Sequence, residues 1–518
     1  MDPGVSADPG VSADPAASAD PGAATPTPAP TPSATPAPSA TPAPVATIAD
    51  VAIVPVTQFR SARTTARTLD VTGLPGGTSP YSALVLVERD ADAILTALGT
   101  SRAKLGAKLV TVTSAARLAA NLAANRTRLG FLRATEVTPA VRALAWGGKA
   151  MFGIGRVKTT GDWGLTARLT VSAGGATYDP KTAWTLFAGG DILLDRGVSL
   201  AIGKSSAGAD FPFGGGTATI SSLCRDCSPM GWDLPNARRT GNAGLLRSLV
   251  KGADLAIANF ENPAPDNFHW HGKGMVFSAN PKHIAGLVDA GIDWVSLANN
   301  HMGDAGKAGL LSTLENLDGY GIAHSGAGAN TARAHKASIL TAGGVKVAIL
   351  GYDTIAGYYW SGTTTAGTAR MTRAFLKADI AAARAAGAQL VIVFPHWGVE
   401  YRAAPTAIQR QLAHDAIDAG ADLVIGNHPH WVEGMEVYNG KPIWYALGNF
   451  VFDQSWSNYT MEGITLELTF TGTQLRQIRM RPHVILDKAQ PNVLDPGHPG
   501  GKFVMDQLWG ASKGLLGW

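Results

Sequence analysis

Residues 421–430 read ADLVIGNHPH, in which a short apolar run leads through a glycine into two closely spaced histidines. Branched, uncharged residues in a run of this length predict a buried parallel strand that ends at Gly426. In an extended segment, positions i and i+2 face the same side, so we expect His428 and His430 to present both imidazoles together. Imidazole is the commonest protein ligand of transition metals, and the pair therefore predicts a metal site at this strand end.

Polar residues also follow the other strands predicted in the second part of the chain. Those strands begin at Trp184, Leu255, Trp294, Val347, Leu390 and Ile443. Amphipathic helices lie between several of them, and this alternation predicts one largely parallel sheet covered by helices, with sites beyond the carboxyl ends of its strands. The candidate ligands at those ends are Asp191, Glu261, Asn300, His396, His428 and His430. This mixture of oxygen and imidazole ligands suits Zn, Mn or Fe, and a carboxylate can bridge two such ions.

Composition limits the classes of protein that this 518-residue chain could represent. Apolar residues make up 45% of it and charged residues 16%, which is ample material for two or three domains with sizeable cores. The formal net charge of +4 is spread thinly, without runs of Lys and Arg or interleaved aromatic residues, so no nucleic-acid partner is expected. No apolar stretch approaches the roughly 18 residues that a membrane helix requires.

Residues 1–46 predict a disordered linker. The hexapeptide DPGVSA repeats from Asp2, and a tract rich in Pro, Ala, Thr and Ser follows from Thr25 to Pro44. Such a tract has little apolar bulk to bury, and its prolines favour an extended spacer of the kind that often holds a domain away from a wall or membrane. We therefore expect an extracellular or envelope location with an export leader upstream of Met1, since the start itself has no signal-peptide pattern. The alternative is a cytoplasmic protein with a misplaced start.

Three further regions complete the predicted organisation. Residues 47–178 contain strands such as Ala83–Val87 and a helix from Ala115, which predicts an α/β accessory domain of unknown role. Residues 183–485 hold the candidate ligands, and residues 486–518 form a C-terminal extension with a closing helix.

The chain has only two cysteines, Cys224 and Cys227, in a segment rich in Gly, Ser and Pro. This count excludes a structural Zn site of the four-Cys kind. In an exported protein the spacing favours a local disulfide, and a redox motif is the alternative.

The motifs around the candidate ligands resemble those of a known family. In chain order they are Gly190 to Arg196 (GDILLDR), Asn259 to Pro263 (NFENP), Leu297 to His301 (LANNH) with Asp304, His396 to Tyr401 (HWGVEY), Gly426 to His430 (GNHPH) and Tyr445 to Gln454 (YALGNFVFDQ). They strongly resemble the bacterial CapA family of poly-γ-glutamate capsule proteins, which looks like a branch of the calcineurin-like metallophosphoesterases. The resemblance implies a four-layer β-sandwich flanked by helices, with a mixed two-sheet core and a two-metal site.

The resemblance also implies a role for each candidate ligand. Asp191 and His430 would bind the first metal, and Glu261 would take the place of the bridging carboxylate. The implied ligands of the second metal are Asn300, His396 and His428.

Other residues near these motifs are implied to serve catalysis or substrate binding. His301 would be the general acid, oriented by Asp304, and an imidazole that is not a ligand suits proton donation near neutral pH. The candidate substrate-binding residues are Arg196, Lys273, Glu400 and Asn449. Arg196 and Lys273 could hold an anionic substrate, and the alternative is that each is an ordinary surface charge.

Two positions depart from the metallophosphoesterase pattern. Asp191-Ile192-Leu193 stands where Asp-x-His is usual, and Glu261 replaces an aspartate, so the first metal is expected to be either weakly held or absent. The chain is interpreted as a metal-dependent hydrolase-like protein that acts on poly-γ-glutamate or a phosphoester in capsule synthesis, export or attachment. Membrane-bound capsule synthesis proteins are expected partners. The alternative is a non-catalytic component that binds polymer or serves as a scaffold in a capsule assembly complex.

Overall fold

A computed structural model of the chain describes residues 46–172 and 177–517. The predicted N-terminal linker lies outside these residues, apart from Ala46, and stays a prediction. The residues from Ala46 onward cluster as one compact unit, so the predicted domain boundaries within this unit also stay a prediction. In the described ranges, no helix is both long enough and apolar enough to span a membrane.

The N-terminal part of this unit has its own sheet and its own hydrophobic core. Its strands are β1 (Thr47–Gln58), β2 (Thr65–Ala66), β3 (Ala83–Val87), β4 (Leu109–Val112), β5 (Arg128–Arg133), β6 (Val141–Ala143), β7 (Ala145–Trp146) and β8 (Thr166–Val171). Its α-helices are α1 (Thr68–Thr72), α2 (Ala91–Ala97), α3 (Arg102–Leu105) and α4 (Ala115–Ala124). The main sheet has the order β4-β3-β5-β1-β6, and β8 also pairs with β1. Leu118 of α4 packs in one core with Val85 of β3, because the inner face of this helix is apolar.

The rest of the unit contains the candidate ligands. Its strands are β9 (Ala183–Ile192), β10 (Thr217–Cys224), β11 (Leu234–Gly241), β12 (Leu255–Phe260), β13 (Trp294–Ser296), β14 (Ala323–Ser325), β15 (Ala327–Gly328), β16 (Ser338–Ala342), β17 (Val345–Asp353), β18 (Gly367–Thr368), β19 (Leu390–His396), β20 (Leu423–Ile425), β21 (Met435–Tyr438), β22 (Lys441–Trp444), β23 (Asn449–Val451), β24 (Glu462–Thr471), β25 (Gln474–Leu486) and β26 (Gln490–Leu494). Its α-helices are α5 (Arg196–Lys204), α6 (Leu245–Lys251), α7 (Ile284–Ala290), α8 (Gly306–Gly319), α9 (Thr331–Ala334), α10 (Arg373–Ala385), α11 (Ala407–Asp418), α12 (Asn458–Met461) and α13 (Pro499–Ala511).

These strands form two large sheets, so the prediction of one largely parallel sheet is wrong. The ten-stranded sheet has the order β11-β10-β26-β25-β24-β9-β12-β13-β14, with β23 on β9. The six-stranded sheet has the order β16-β17-β19-β20-β22-β21. Both are mixed: β9 runs parallel to β12 and antiparallel to β24. The mixed two-sheet core that the family resemblance implies is confirmed.

The two sheets face each other across a shared core. Leu186 and Ile257 of the ten-stranded sheet pack in one cluster with Ile349 and Ile392 of the other, and all four are fully buried. Successive strand residues alternate between faces, so Phe187 points away from this core toward the helix layer of α7 and α8. Helices α10 and α11 cover the outer face of the second sheet in the same way. The resulting order is helix, sheet, sheet, helix.

The segment around the two cysteines is a hairpin that the sequence analysis did not predict. Strands β10 and β11 pair antiparallel, and Cys224 and Cys227 are joined by a disulfide at the turn. Arg225 forms an ion pair with Asp233 across the same turn. The favoured local disulfide is therefore present, and it closes a two-stranded ribbon.

Candidate metal centre

Ends of strands from both sheets meet at one edge of the sandwich. Asp191 lies in β9 and Glu261 directly follows β12, both in the ten-stranded sheet. His396 ends β19, and His428 and His430 follow β20, both in the six-stranded sheet. All five side chains are buried, with exposed fractions between 0% and 4%. Residues far apart in the chain are thus brought into one enclosed cluster.

The cluster divides into two groups of possible ligands. In the first-site group, one ligand atom each from Asp191, Glu261 and His430 lie within 4.8 Å of one another. In the second-site group, the same holds for Glu261, His396 and His428. Glu261 belongs to both groups, which is the arrangement expected of a carboxylate that bridges two cations.

Distances within the cluster place an imidazole on each side of Glu261. The Oε1 atom of Glu261 lies 3.6 Å from Nε2 of His396 and 3.7 Å from Nε2 of His430. Asn300 adds an amide oxygen to the second-site group, since its Oδ1 lies 2.7 Å from Nε2 of His396. One carboxylate oxygen of Glu261 is therefore close to two imidazole nitrogens, and the amide oxygen of Asn300 lies beside one of them.

The carboxylates of the cluster fit a divalent cation. Neither oxygen of Glu261 has a hydrogen bond to a described residue outside the ligand groups, although both are buried, and the carboxyl group of Asp191 is close enough to share a proton with Glu261. Burial raises the pKa of Asp191 to about 7 and raises the pKa of Glu261 well above its usual range, where Asp191 and Glu400 add repulsion. A buried carboxylate without a compensating charge destabilises the folded state, and a bound cation offsets this destabilisation. The residues present are compatible with a divalent-metal site.

The histidines of the cluster are in the protonation state that a metal ligand needs. Burial lowers the pKa of His396 and of His428 well below the usual range, and it lowers the pKa of His430 to about 3. His430 also donates from Nδ1 to the Oδ1 atom of Asn449 at 2.8 Å, which leaves Nε2 toward Glu261. Neutral imidazoles with a fixed tautomer are suited to metal binding.

The backbone that carries His428 and His430 is not extended, so that part of the prediction is wrong. Their φ angles are +100° and +56°, in the left-handed region that non-glycine residues rarely adopt. The two rings are tilted by 47° and belong to different ligand groups. The backbone N–H of His428 donates to the Asp191 carboxylate at 3.3 Å, and the backbone N–H of Tyr401 donates to the Pro429 carbonyl at 2.9 Å. Strained backbone held by its surroundings is a common feature of functional sites.

Asn259 is a site residue that the sequence analysis missed. Its Nδ2 atom donates to Asp191 Oδ1 at 2.8 Å and lies 3.2 Å from Nδ1 of His396. Asn299 in turn donates to the Oδ1 atom of Asn259 at 3.3 Å. The sequence could have indicated this residue. Asn259 lies two positions before Glu261 near the end of β12, and residues two apart in a strand point to the same face of the sheet.

His301 and Asp304 form a buried pair beside the ligand groups. Nδ1 of His301 donates to Oδ2 of Asp304 at 2.8 Å, and the imidazole stacks on Phe277 with ring centroids 4.0 Å apart. Asp304 also accepts from the backbone N–H of Phe277 at 2.8 Å and from the Tyr359 hydroxyl at 3.3 Å. The charge of His301 is close enough to lower the pKa of the clustered histidines, although burial is the larger cause.

The four predicted substrate contacts have different surroundings. Arg196 forms an ion pair with Asp453, so its charge is already matched. Asn449 is fully buried behind His430 and also donates to the Thr460 carbonyl at 2.8 Å, a position that favours orienting His430 over contacting a substrate. Glu400 is half-buried and Lys273 is exposed.

The fold and the ligand groups together define a four-layer α/β protein with a donor set compatible with divalent metal. The chain belongs to the family of the bacterial capsule synthesis protein PGA_cap, whose family model matches residues 185–454. The predicted family is confirmed by this match.

Two relatives and one solved structure are similar to parts of the chain. The chain is 36% identical over 226 residues to the PGA biosynthesis protein CapA of Bacillus subtilis (strain 168), covering 41% of this chain and 57% of that protein. It is 34% identical over 216 residues to the capsule biosynthesis protein CapA of Bacillus anthracis, covering 40% of this chain and 53% of that protein. The match thus spans little more than half the length of these two relatives. The crystal structure of the calcineurin-like phosphoesterase YfkN from Bacillus subtilis aligns with 64% of this chain and 96% of that chain, at 14% identity and a TM-score of 0.33, which is too low to support a conclusion.

We expect His483, which lies behind the cluster, to make the fold sensitive to acid. Burial lowers the pKa of His483 from 6.5 to about 4, although its Nε2 atom lies 2.8 Å from the Asn449 carbonyl. Between these pH values the His483 side chain binds a proton in the unfolded chain but not in the folded chain, so its contribution to stability is complete above pH 6.5 and is lost as the pH falls toward 4. The loss is up to about 3 kcal/mol.

Urea unfolding of the chain and of the variant His483→Gln at pH 7 and pH 5 measures this effect. The variant is expected to lose less stability than the native chain over this interval. His269→Gln, at an exposed histidine, is the control and is expected to keep the native pH dependence. An equal pH dependence in the native chain and in His483→Gln would contradict the prediction.

Proposed function

We propose that residues 183–485 form a metal-dependent, hydrolase-like centre that acts on poly-γ-glutamate or a phosphoester during capsule polymer production at the cell envelope. The observation that carries this proposal is the pair of buried ligand groups that share Glu261, whose oxygens have no other described partner. The printed names of the two Bacillus relatives, which refer to PGA and capsule biosynthesis, support the polymer as the substrate class. Membrane-bound capsule synthesis proteins are the proposed partners.

The two ligand groups would hold one cation each. Glu261, His396 and His428, with Asn300, would hold the second cation, and Asp191, Glu261 and His430 the first. Divalent cations in such a site supply Lewis acidity and lower the pKa of a bound water. Asn259 and Asn449 would orient Asp191 and His430, since both amides bond to them directly.

The first cation is proposed to be the more weakly held. Leu193, at the position where the wider superfamily usually has histidine, is fully buried in an apolar cluster with Phe277, Phe452 and Ile485. It contributes no ligand atom, so the first-site group lacks an additional imidazole. This asymmetry is the observation that favours the alternative function, a member that binds metal and polymer without turnover.

His301 is proposed to donate the proton to the leaving group. Its Nδ1 is committed to Asp304, which leaves Nε2 as the nitrogen that exchanges protons with a substrate. Asp304 is held by three donors, and this fixes the orientation of the imidazole. Stacking on Phe277 restricts the ring further.

Metal analysis of the purified full chain tests this proposal before a substrate must be chosen. We expect one tightly bound divalent cation and a second that is lost on dialysis against a weak chelator. Turnover of bis-p-nitrophenyl phosphate and of poly-γ-glutamate is then measured with Mn or Zn restored. A chain that binds no divalent metal would overturn the proposal, and metal binding without turnover would favour the non-catalytic alternative.

A further inference from the structure

Three adjoining cavities lie between the N-terminal sheet region and the ten-stranded sheet, away from the metal-centre residues. The first, of about 440 Å³, and the second, of about 480 Å³, share Gln58, Arg60 and Arg126 in their linings. The third, of about 250 Å³, shares Arg142 and Met480 with the second. We call this continuous set of cavities the basic seam. Its shape suits an extended ligand.

Positive charge dominates the basic seam. The cations in its lining are Arg60, Arg126, Arg142, Arg479, Arg481 and Lys502, and the carboxylates are Glu136 and Asp506. Both carboxylates already have partners, because Glu136 pairs with Arg89 and Asp506 pairs with Lys502. The lining therefore holds far more positive charge than its own carboxylates can balance.

Three of the arginines have no ion pair in the part of the chain that the structure describes. Arg479 and Arg481 share the buried Glu467 at 3.1 Å and 2.5 Å, whereas no ion pair forms at Arg60, Arg126 or Arg142. The surroundings of Arg60 are positive, since burial and the charge of Arg126 lower its pKa. An arginine left in this state retains its capacity to bind an anion.

Arg142 lies in a more buried position than Arg60 and has other arginines beside it. Its Nε atom donates to the Arg63 carbonyl at 2.9 Å, which satisfies a hydrogen bond but supplies no negative charge. Burial lowers the pKa of Arg142 to about 9, the neighbouring Arg479 and Arg481 add to this, and the charge of Glu467, which those two arginines share, opposes it. Like charges gathered in a partly desolvated cavity are stabilised by an added anion.

The floor of the first cavity is apolar and smooth. It is lined by the alanines of one face of α4, which are Ala115, Ala116, Ala119, Ala120 and Ala123. Small side chains leave room for a chain of methylene groups, and the arginines stand beside them. A γ-linked glutamate polymer combines methylene groups in its backbone with one carboxylate on each residue, which matches both features.

We infer that the basic seam binds an extended polycarboxylate and holds the polymer at a site distinct from the metal centre. The identity of the polymer as γ-linked glutamate rests on the proposed function. The seam would thereby hold the polymer, as substrate or as product, while the end of the polymer reacts at the metal centre. Planar guanidinium groups are well suited to carboxylates because they can donate two parallel hydrogen bonds.

The test is binding of fluorescent poly-γ-glutamate of defined length to the full chain, followed by anisotropy at low and high salt. The seam variant carries Arg60→Gln, Arg126→Gln and Arg142→Gln. We expect its Kd to rise at least about tenfold at low salt, with a weaker salt dependence, because three charge-assisted contacts are lost. The matched control carries Arg117→Gln and Arg168→Gln, two exposed arginines outside the cavities, and should bind as the native chain does.

The binding measurement tests the seam inference, and the metal measurement tests the proposed function, so the two can fail independently. Equal affinity of the seam variant and the native chain would overturn the seam inference, and so would equally tight binding of polyphosphate of the same length. Circular dichroism and metal content are recorded for every variant, and both should be unchanged by the seam substitutions. If the native chain binds the polymer through the seam but holds no metal, the seam inference stands and the proposed function fails.

Discussion

Replacing Glu261 by glutamine is expected to abolish retention of metal at both positions of the cluster. The substitution keeps the size of the side chain but removes the negative charge that both ligand groups share. Removing a residue that only orients a metal ligand lowers metal affinity about 10- to 100-fold. Removing the ligand itself is expected to lower the affinity more. We therefore expect a loss of at least about 100-fold for each cation, measured by elemental analysis after dialysis in metal-buffered solution.

Two controls separate this loss from unfolding. Glu462→Gln alters another buried carboxylate whose oxygens have no described partner and whose pKa is raised by burial, and it lies outside both ligand groups. This variant should retain native metal content. In the presence of a chelator, Glu261→Gln should unfold at the same temperature as the native chain or higher, because it removes a buried charge. Native metal content in Glu261→Gln would refute the bridging role.

Replacing His301 by alanine is expected to reduce turnover by about 10²- to 10⁴-fold with metal content unchanged. The reason is that the His301 side chain belongs to neither ligand group, while Asp304 orients it for proton transfer. The reduction should be largest for esters with poor leaving groups and small for p-nitrophenyl esters, whose leaving group needs little protonation. Measuring kcat for a series of aryl phosphodiesters of rising leaving-group pKa checks this expectation.

The chain contains a closely matched control for this experiment. His335 donates to Asp379 at 2.8 Å and stacks on Phe375 at 3.9 Å, which reproduces the geometry of His301 with Asp304 and Phe277 away from the ligand groups. His335→Ala should lower stability to a similar extent and leave kcat per folded molecule unchanged. A uniform loss across all leaving groups in His301→Ala would show that this residue supports structure and does not transfer a proton.

Local patterns in the sequence were enough to find most of the elements and candidate ligands. The strand Ala83–Val87 has the predicted bounds, because it is a short, continuous apolar run with Pro80 before it and charged residues after it. The ligand candidates were found because each directly follows an apolar run, and the end of a strand is visible without knowledge of its neighbours. The family resemblance rests on the same short motifs.

Other features left a weak local signal. In the hairpin of β10 and β11, only Ala218 and Ile220 of β10 are buried and no residue of β11 is, so the alternating apolar pattern is too short to predict two paired strands. The positive φ angles of His428 and His430 depend on contacts with Asp191 and Tyr401, which are remote in the chain. The sequence pattern alone predicted an extended segment there.

The sequence by itself determined the chemical identity of the candidate ligands, their positions at strand ends and the family to which the chain belongs. Only the tertiary structure decided how the strands divide between two sheets, because strands buried on both faces carry no record of which neighbour they pair with. The tertiary structure also decided that Glu261 lies close to two imidazoles and that the basic seam gathers several arginines, three of which have no ion pair among the described residues. Both depend on packing between distant segments, which no single stretch of the chain encodes.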